Sequence, residues 1–357
     1  MKNILVTGGN GFIGSHTCIS LLENNYKLTI IDSNINSSQI VIERLKIILK
    51  NKFSNLDDLL ISKKGDIRDR DFLNQVFMKA SKDKNPIEAV IHFAGLKSVG
   101  ESVINPFRYW DNNVFGSLNL FRVMQDYDCK IIVFSSSATV YGKPDSIPIY
   151  EDFVLKPNNP YGNTKASIEK MLGDIYISSK NSWRIANLRY FNPIGAHSSG
   201  LIGEDPNDKP NNLFPLICRV AQGKYKFLNV YGKDWETPDG TGIRDYIHVM
   251  DLAEAHTSAI KYLFKNSPQL VNLNIGTGVG TSVLELIEKF SLINNCNVPY
   301  IFCKRRKGDV PILIAKNSKA ISLLDWKPKR NIEDMCKDGW NWQKNNPFGY
   351  DLKKKIG

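Results

Sequence analysis

The sequence predicts a doubly wound α/β protein, with a parallel sheet covered by helices on both faces and a smaller C-terminal substrate-binding lobe. Three observations carry that prediction. Short β-rich runs alternate with helical stretches over the first 190 or so residues. The first of these runs ends in a glycine turn that opens a helix. From about residue 192 the texture changes to Asn-, Pro- and Gly-rich loops with shorter elements between them.

The strand-like runs are 3–7, 27–31, 89–93, 130–135 and 185–190, and a further strand precedes Asp66. Helical stretches cover 14–24, 71–80, 108–125 and 160–178. Alternation of this kind predicts a parallel sheet with both faces buried, and right-handed crossovers make it doubly wound. The expected organisation is a dinucleotide-binding domain over 1–191 and a substrate lobe over 192–345. The tail 346–357, which includes Lys353, Lys354 and Lys355, is expected to fray. One strand-like piece, 271–275, is placed to return to the first sheet, so the boundary is not expected to be clean.

Composition narrows the class. The chain has 357 residues, 42% hydrophobic and 23% charged, as expected of a globular protein with more than one core. The net charge of +11 would suit a nucleic-acid or membrane partner. However, the lysines are scattered apart from short basic runs at 304–307 and 353–355, so neither partner is expected. No apolar stretch reaches membrane-spanning length, and the N-terminus runs directly into a strand with no leader pattern. Six cysteines show no C-x-x-C spacing, and five histidines do not pair with them at zinc spacing. A reduced, cytoplasmic setting without a structural metal follows as the expectation.

The glycine turn is the first functional signal. Gly8, Gly11 and Gly14 sit between a strand and a helix, where glycine lets the backbone approach a pyrophosphate and the helix N-terminus offers free N–H groups. Asp32 ends the second strand, 18 residues after Gly14. A carboxylate there accepts hydrogen bonds from a ribose diol and repels a 2′-phosphate, and no arginine follows it. That favours NAD over NADP. Asp66 and Ile67 are placed to flank the adenine, and the small residues Ala94 and Gly95 after Phe93 allow close cofactor contact.

The second signal is a pair on one helix face. Tyr161 and Lys165 stand at i and i+4. A free tyrosine has a pKa of about 10, and a nearby ammonium together with a positive nicotinamide favours its phenolate. The pair follows by one βα unit the strand end Phe134-Ser135-Ser136-Ser137, whose hydroxyls point into the ligand crevice of such folds. Ser137 is the hydroxyl expected to hydrogen-bond the reacting oxygen of the ligand.

With those residues placed, the chain closely resembles UDP-galactose 4-epimerases of the extended short-chain dehydrogenase/reductase superfamily, which carry a Rossmann domain. The motifs that carry the likeness are TGGNGFIGSHT (7–17), GDIR (65–68), HFAGLKSVGES (92–102), DNN (111–113), FSSSATVYG (134–142), PYGNTK (160–165), LRYFNPIGAH (188–197), GTGIRDYIHVMDLA (240–253) and NIGTGVGTSVLEL (274–286). The resemblance implies an NAD site lined by Phe12, Ile13, Asp32, Asn34, Asp66, Ile67, Phe93, Ala94, Gly95, Lys97 and Asn112, with Phe191 beside the nicotinamide. It implies a catalytic group of Ser137, Tyr161 and Lys165, with Tyr161 the acid/base. It implies UDP-sugar contacts from Asn192, Asn212, Leu213, Asn229, Tyr231, Arg244, Arg306 and Asp309. Arginine suits such a diphosphate because its fork makes two charge-assisted bonds, and Arg305 is a further candidate.

The expected reaction interconverts UDP-galactose and UDP-glucose by NAD-mediated oxidation and re-reduction at C4, as in galactose metabolism, in an enzyme expected to be a homodimer. Two departures from the family pattern stand out. Residues 38–64 are longer than in compact bacterial relatives. Leu313 occupies a position that limits the sugar pocket and is intermediate in size, which leaves UDP-N-acetylglucosamine and UDP-N-acetylgalactosamine open as additional substrates. The alternative chemistry is that of a nucleotide-sugar dehydratase or decarboxylase, but Ser136-Ser137-Ala138-Thr139 lacks the acidic residue typical of those relatives. A non-catalytic NAD-binding protein is the remaining reading, against which the intact Ser137, Tyr161 and Lys165 speak.

Overall fold

A computed structural model describes residues 1–180, 182–206, 212–306 and 308–351. The strands among them are β1 (Asn3–Thr7), β2 (Lys27–Asp32), β3 (Leu60–Lys64), β4 (Ile87–His92), β5 (Ile131–Ser137), β6 (Arg184–Tyr190), β7 (Asn192–Ile194), β8 (Leu228–Tyr231), β9 (Ile243–His248), β10 (Gln269–Ile275), β11 (Gly280–Ser282), β12 (Tyr300–Cys303) and β13 (Ile312–Leu313). Seven of them form one parallel sheet in the order β10-β6-β5-β4-β1-β2-β3.

Every residue of β1 and β5 is buried, as a sheet covered on both faces requires. On β1 the faces divide by alternation. Ile4 and Val6 join the core under the helices Phe12–Glu23 and Val249–Lys265, while Leu5 joins the core under Arg70–Lys82 and Gly116–Asp126. Each fully buried aliphatic side chain there contributes about 1.5–3 kcal/mol.

The strand order reverses between β1 and β4. In doubly wound sheets the ligand crevice opens outside the carboxyl ends of the strands at that point. Here the two loops meet closely. Gly8 has φ +70°, and a Cβ on it would lie 2.7 Å from the Ala94 nitrogen, so only glycine fits.

The strand-like run 271–275 is part of β10, which pairs with β6 at the edge of the main sheet from Gln269↔Arg184 to Ile275↔Tyr190. The elements after residue 192 otherwise form two small sheets. In one, β9 pairs with β7, β11 and β13; in the other, β8 pairs with β12. The helical stretch expected at 108–125 contains a π-helical turn, Trp110–Phe115, between Pro106–Tyr109 and Gly116–Asp126.

The tail corrects an expectation. Residues 346–351 do not fray: Asn346 and Tyr350 are buried, and Tyr350 packs against Trp342 with ring centroids 4.8 Å apart and the rings tilted by 45°. An aromatic ring with inward hydrogen bonds outweighs the loop-forming Pro347 and Gly349. Residues 352–357, with Lys353, Lys354 and Lys355, lie outside the described residues, as does Lys307 of the other basic run.

Candidate active site

One cleft opens at the switch point and is lined from six strand ends. Its lining includes Gly8, Gly11, Phe12, Ile13, Gly14, Asp32, Asp66, Ile67, Phe93, Ala94, Gly95, Lys97, Asn112, Tyr161 and Lys165 from the expected set. The glycine turn fits a pyrophosphate by shape. A Cβ on Gly14 would overlap the Gly8 carbonyl oxygen, so the turn is packed to the backbone and leaves its N–H groups at the cleft.

Asp32 is held ready at the far end. Its Oδ2 accepts from Asn10 N–H at 2.9 Å, and its Oδ1 accepts from Asn34 N–H at 2.9 Å and from the Ser37 hydroxyl at 2.8 Å. A carboxylate offers about four acceptor positions, so one is left for a ligand diol. The neighbouring lining is Ser33, Ile35, Asn36 and Ser37, with no arginine among the described residues of the cleft, which suits a ribose without a 2′-phosphate.

The middle of the cleft is braced by the π turn. Buried Asn113 accepts from Leu96 N–H at 2.7 Å and donates to Leu96 O at 3.0 Å, fixing the loop after β4. A single wide turn is a common device at functional sites; here it puts Asn113 under that loop and Asn112 at the cleft.

At the other end stand Tyr161 and Lys165, both buried. Their helix, Pro160–Ser178, starts cleanly, because Pro160 sits in the first turn and Asn159 accepts from Gly162 N–H at 2.8 Å. Lys165 Nζ donates to Ser135 O at 2.9 Å and stands 5.9 Å from the Tyr161 ring centroid. Burial lowers the Lys165 ammonium to about 8, opposed by the charge of Glu169 one turn further along the helix. Burial pushes the Tyr161 phenol well above its usual value; the neighbouring Tyr190 adds to this and a hydrogen bond with Ser137 opposes it. In this geometry burial dominates the phenol, and one of the three N–H donors of the Lys165 ammonium is taken by Ser135 O.

Of the expected cofactor and catalytic residues three do not line the cleft itself, and none of the expected UDP-sugar residues does. Ser137 ends β5, where its Oγ accepts from the Thr139 hydroxyl at 3.0 Å, within reach of the Tyr161 phenol. Asn34, at φ 57°, accepts from Asn10 Nδ2 at 2.8 Å. Phe191 packs in a small apolar cluster with Ala138, Tyr141, Ile149 and Ala315, beside Leu313.

The expected UDP-sugar residues gather on the smaller sheets. Arg244 on β9 is in register with Leu313 on β13. Asn229 and Tyr231 lie on β8, and the Arg306 guanidinium carbon stands 3.9 Å from the Tyr231 ring centroid. Arg305 stacks 4.0 Å over Trp235, and the Asp309 N–H donates to Arg306 O at 3.3 Å. Asn192 begins β7, and Asn212 caps the helix Leu213–Ala221. Asn212 also reaches back toward the first cleft: its Nδ2 donates to Glu204 at 3.0 Å, and Glu204 pairs with Lys97 at 2.7 Å.

Sequence reasoning missed Tyr190, Glu204, Asp205 and Tyr350, all of which line the cleft. Tyr190 had a signal, since it ends a buried strand inside the quoted LRYFNPIGAH motif. The other three sit in loops and had none.

Comparison with known proteins agrees with this geometry. Residues 5–339 match the family model described as GDP-mannose 4,6 dehydratase. The chain is 50% identical to the bifunctional UDP-glucose 4-epimerase and UDP-xylose 4-epimerase 1 of Pisum sativum, over 99% of this chain and 98% of that one. It is 49% identical to the UDP-glucose 4-epimerase of Bacillus subtilis, over 97% of this chain and 98% of that one. The crystal structure of the UDP-glucose 4-epimerase of Bifidobacterium longum, in complex with NAD⁺ and UDP, superposes with a TM-score of 0.90 at 44% identity, covering 98% of this chain and 100% of that one. On the glycine cradle, the tyrosine–lysine helix and these full-length likenesses together, the chain belongs to the UDP-glucose 4-epimerase family of the extended short-chain dehydrogenases/reductases.

Proposed function

We propose that the chain interconverts UDP-galactose and UDP-glucose by oxidation and re-reduction at sugar C4, using an NAD that is not consumed. The observation that carries this is the placing of Tyr161, with Ser137 and Lys165, at the strand ends that close the cleft which begins at Gly8–Gly14 and Asp32. A bound NAD would supply a reversible hydride acceptor for C4. Tyr161 takes the proton of the 4-hydroxyl and returns it, and Ser137 holds that oxygen by a hydrogen bond. Burial alone keeps the phenol neutral, so its phenolate forms only when positive charge stands beside it. The Lys165 ammonium, 5.9 Å from the Tyr161 ring centroid, supplies part of that charge, and a bound oxidised nicotinamide would add to it.

The cofactor contacts fall to Gly8, Gly11, Phe12, Ile13, Gly14, Asp32, Asn34, Asp66, Ile67, Phe93, Ala94, Gly95, Lys97, Asn112 and Phe191. Asn192, Asn212, Leu213, Asn229, Tyr231, Arg244, Arg306, Asp309 and Leu313 hold the UDP-sugar while the 4-keto sugar turns. In this reading 1–191 and 192–345 serve as the cofactor and sugar lobes. Against elimination at C6, the position after Ser137 is Ala138, buried in an apolar cluster.

The assay is direct: purified protein is incubated with UDP-galactose, without added cofactor, and followed by NMR. UDP-glucose is the expected product, and a 4-keto-6-deoxy sugar would overturn the reading.

Two further features belong to the same proposal. No helix among the described residues is long and apolar enough to cross a membrane, and all six cysteines are free thiols, which suits a cytoplasmic enzyme. The segments Val99–Ile104, Pro106–Tyr109 and Trp110–Phe115 expose Val103, Ile104, Phe107 and Phe115. An apolar face of that kind marks an interface, and a homodimer through it is the expected state. Light scattering at the monomer mass would exclude it.

A further inference from the structure

The longer segment 38–64 and the C-terminal segment meet at a place neither sequence reads as functional. Arg44, on the helix Ile40–Leu49, is buried. Its Nη1 donates to Leu201 O at 2.7 Å and to Asn346 Oδ1 at 2.7 Å. Its guanidinium also stands 5.0 Å from the Tyr350 ring centroid and 5.4 Å from that of Trp342. An arginine that satisfies two carbonyl acceptors and two aromatic faces at once acts as a rivet.

What it rivets is the loop 200–206. Asn346 Nδ2 donates to Gly200 O at 2.8 Å. The Tyr350 hydroxyl accepts from Gly203 N–H at 3.1 Å and donates to Gly203 O at 3.2 Å. Tyr350 N–H donates to Asp205 Oδ2 at 2.7 Å, and the Trp342 indole donates to Glu204 O at 3.4 Å. Gly203, Glu204, Asp205, Pro206 and Tyr350 line the same cleft as the glycine cradle and Asp32. The ion pair from Glu204 to Lys97 then ties this loop to the loop after β4.

We infer that the 200–206 loop, backed by the 346–350 segment and pinned by Arg44, is the wall of the dinucleotide cleft that sets how long the cofactor stays bound. The inference rests on the proposal that this cleft holds NAD. Arg44 does not touch the cleft, so it is a positioning residue. It acts on the rate of cofactor escape, because leaving requires the wall to swing away and the wall's hydrogen bonds converge on Arg44, Asn346 and Tyr350. An enzyme that must keep one cofactor through many cycles gains from such a wall. The chain uses both the helix Ile40–Leu49 and the segment 346–350 for it.

The test measures NAD directly. Wild type, Arg44→Met, Arg44→Lys and Tyr350→Phe are purified identically, and bound dinucleotide is released by denaturation and quantified by chromatography. NAD release is also timed by exchange against labelled NAD. Arg44→Met is expected to lose nucleotide on purification and to release it at least about tenfold faster, since most affinity changes of this kind fall on the dissociation rate. Its turnover with saturating added NAD should stay within about twofold of wild type, the split expected when only ground-state binding is lost. Tyr350→Phe, which keeps the ring and loses both Gly203 bonds, should release NAD faster than wild type. Should Arg44→Met fail to fold by circular dichroism, Arg44→Lys and Tyr350→Phe decide on the same readout. Occupancy and release rates equal to wild type in the folded variants would overturn the inference and leave the cofactor assignment standing. Wild-type protein that neither carries nor binds NAD would overturn both.

Discussion

Two arginine–carboxylate pairs show how differently the two parts of the candidate site are built. Beneath the catalytic end, Arg189 and Glu169 meet at 2.6 Å with side chains only 3% and 5% exposed. Ser136 donates to the same carboxylate at 2.5 Å, and the guanidinium also reaches Tyr141 OH at 2.9 Å and Glu151 O at 2.8 Å. On the side of the expected UDP-sugar residues, Arg305 and Asp234 meet at 2.9 Å with side chains 40% and 69% exposed. The first pair is walled in by strands and helix, and every polar atom has its partner on the chain. The second keeps its charge in water, where another anion can compete for it. The catalytic end is preorganised in advance, whereas the sugar end offers charge that a nucleotide can recruit.

The largest effect should come from breaking the buried pair. Glu169→Ala leaves Arg189 charged and unpaired in the interior, which costs about 3–5 kcal/mol of stability. Urea denaturation of the two proteins measures it. Asp234→Ala, the matching change at the exposed pair, should leave the urea midpoint almost unmoved. Equal losses at the two sites would erase the contrast between them.

Next is the pH response of Lys165. Its folded pKa of about 8 lies below the unfolded value near 10.5. Below about pH 8 both states hold the proton and the penalty for burying the ammonium is present in full. Between about 8 and 10.5 the folded state releases its proton first, so the penalty is relieved as pH rises. The stability of wild type minus that of Lys165→Met should therefore increase by about 3 kcal/mol across this window, at 1.36 kcal/mol per pH unit. A difference that stays flat with pH would show that Lys165 titrates as it does in the unfolded chain.

Tyr161→Phe comes third. Loss of the proton carrier should cut turnover by roughly 10²-fold, the scale of a lost acid/base, while the ring volume and therefore the fold are kept. Near-wild-type turnover by NMR would remove Tyr161 from the chemistry.

How much of this could be read from the chain depends on what fixes each feature. The glycine turn was legible because Gly8 and Gly14 answer to backbone sterics that allow no other residue. The Tyr161–Lys165 pair was legible because helical spacing sets its face. The two groups' protonation was not, because Lys165 Nζ turns to Ser135 O and burial outweighs proximity. The π turn at Trp110–Phe115 left no periodic trace, since one wide turn only shifts the pattern that follows. The tail was misread for a related reason. Pro347 and Gly349 look like loop residues in sequence, and the grip of Tyr350 on Gly203 spans 147 positions of chain.

The smallest effect tests the exposed half of the comparison. The Arg306 guanidinium carbon stands 3.9 Å from the Tyr231 ring centroid, and the residue is exposed. A contact with the ring face uses none of the N–H donors, which suits the fork to meeting a diphosphate. Arg306→Ala removes a charge-assisted contact at a partly hydrated site, so KM for UDP-galactose should rise about tenfold, equivalent to 1.4 kcal/mol. Turnover should change less, because an anchor for the nucleotide binds ground state and transition state alike. Arg306→Lys keeps the charge and loses the guanidinium's contact with the ring, and should fall between the two. A large loss of turnover with KM unchanged would instead place Arg306 at the reacting sugar, and the sugar side of the cleft would then be preorganised like the catalytic end.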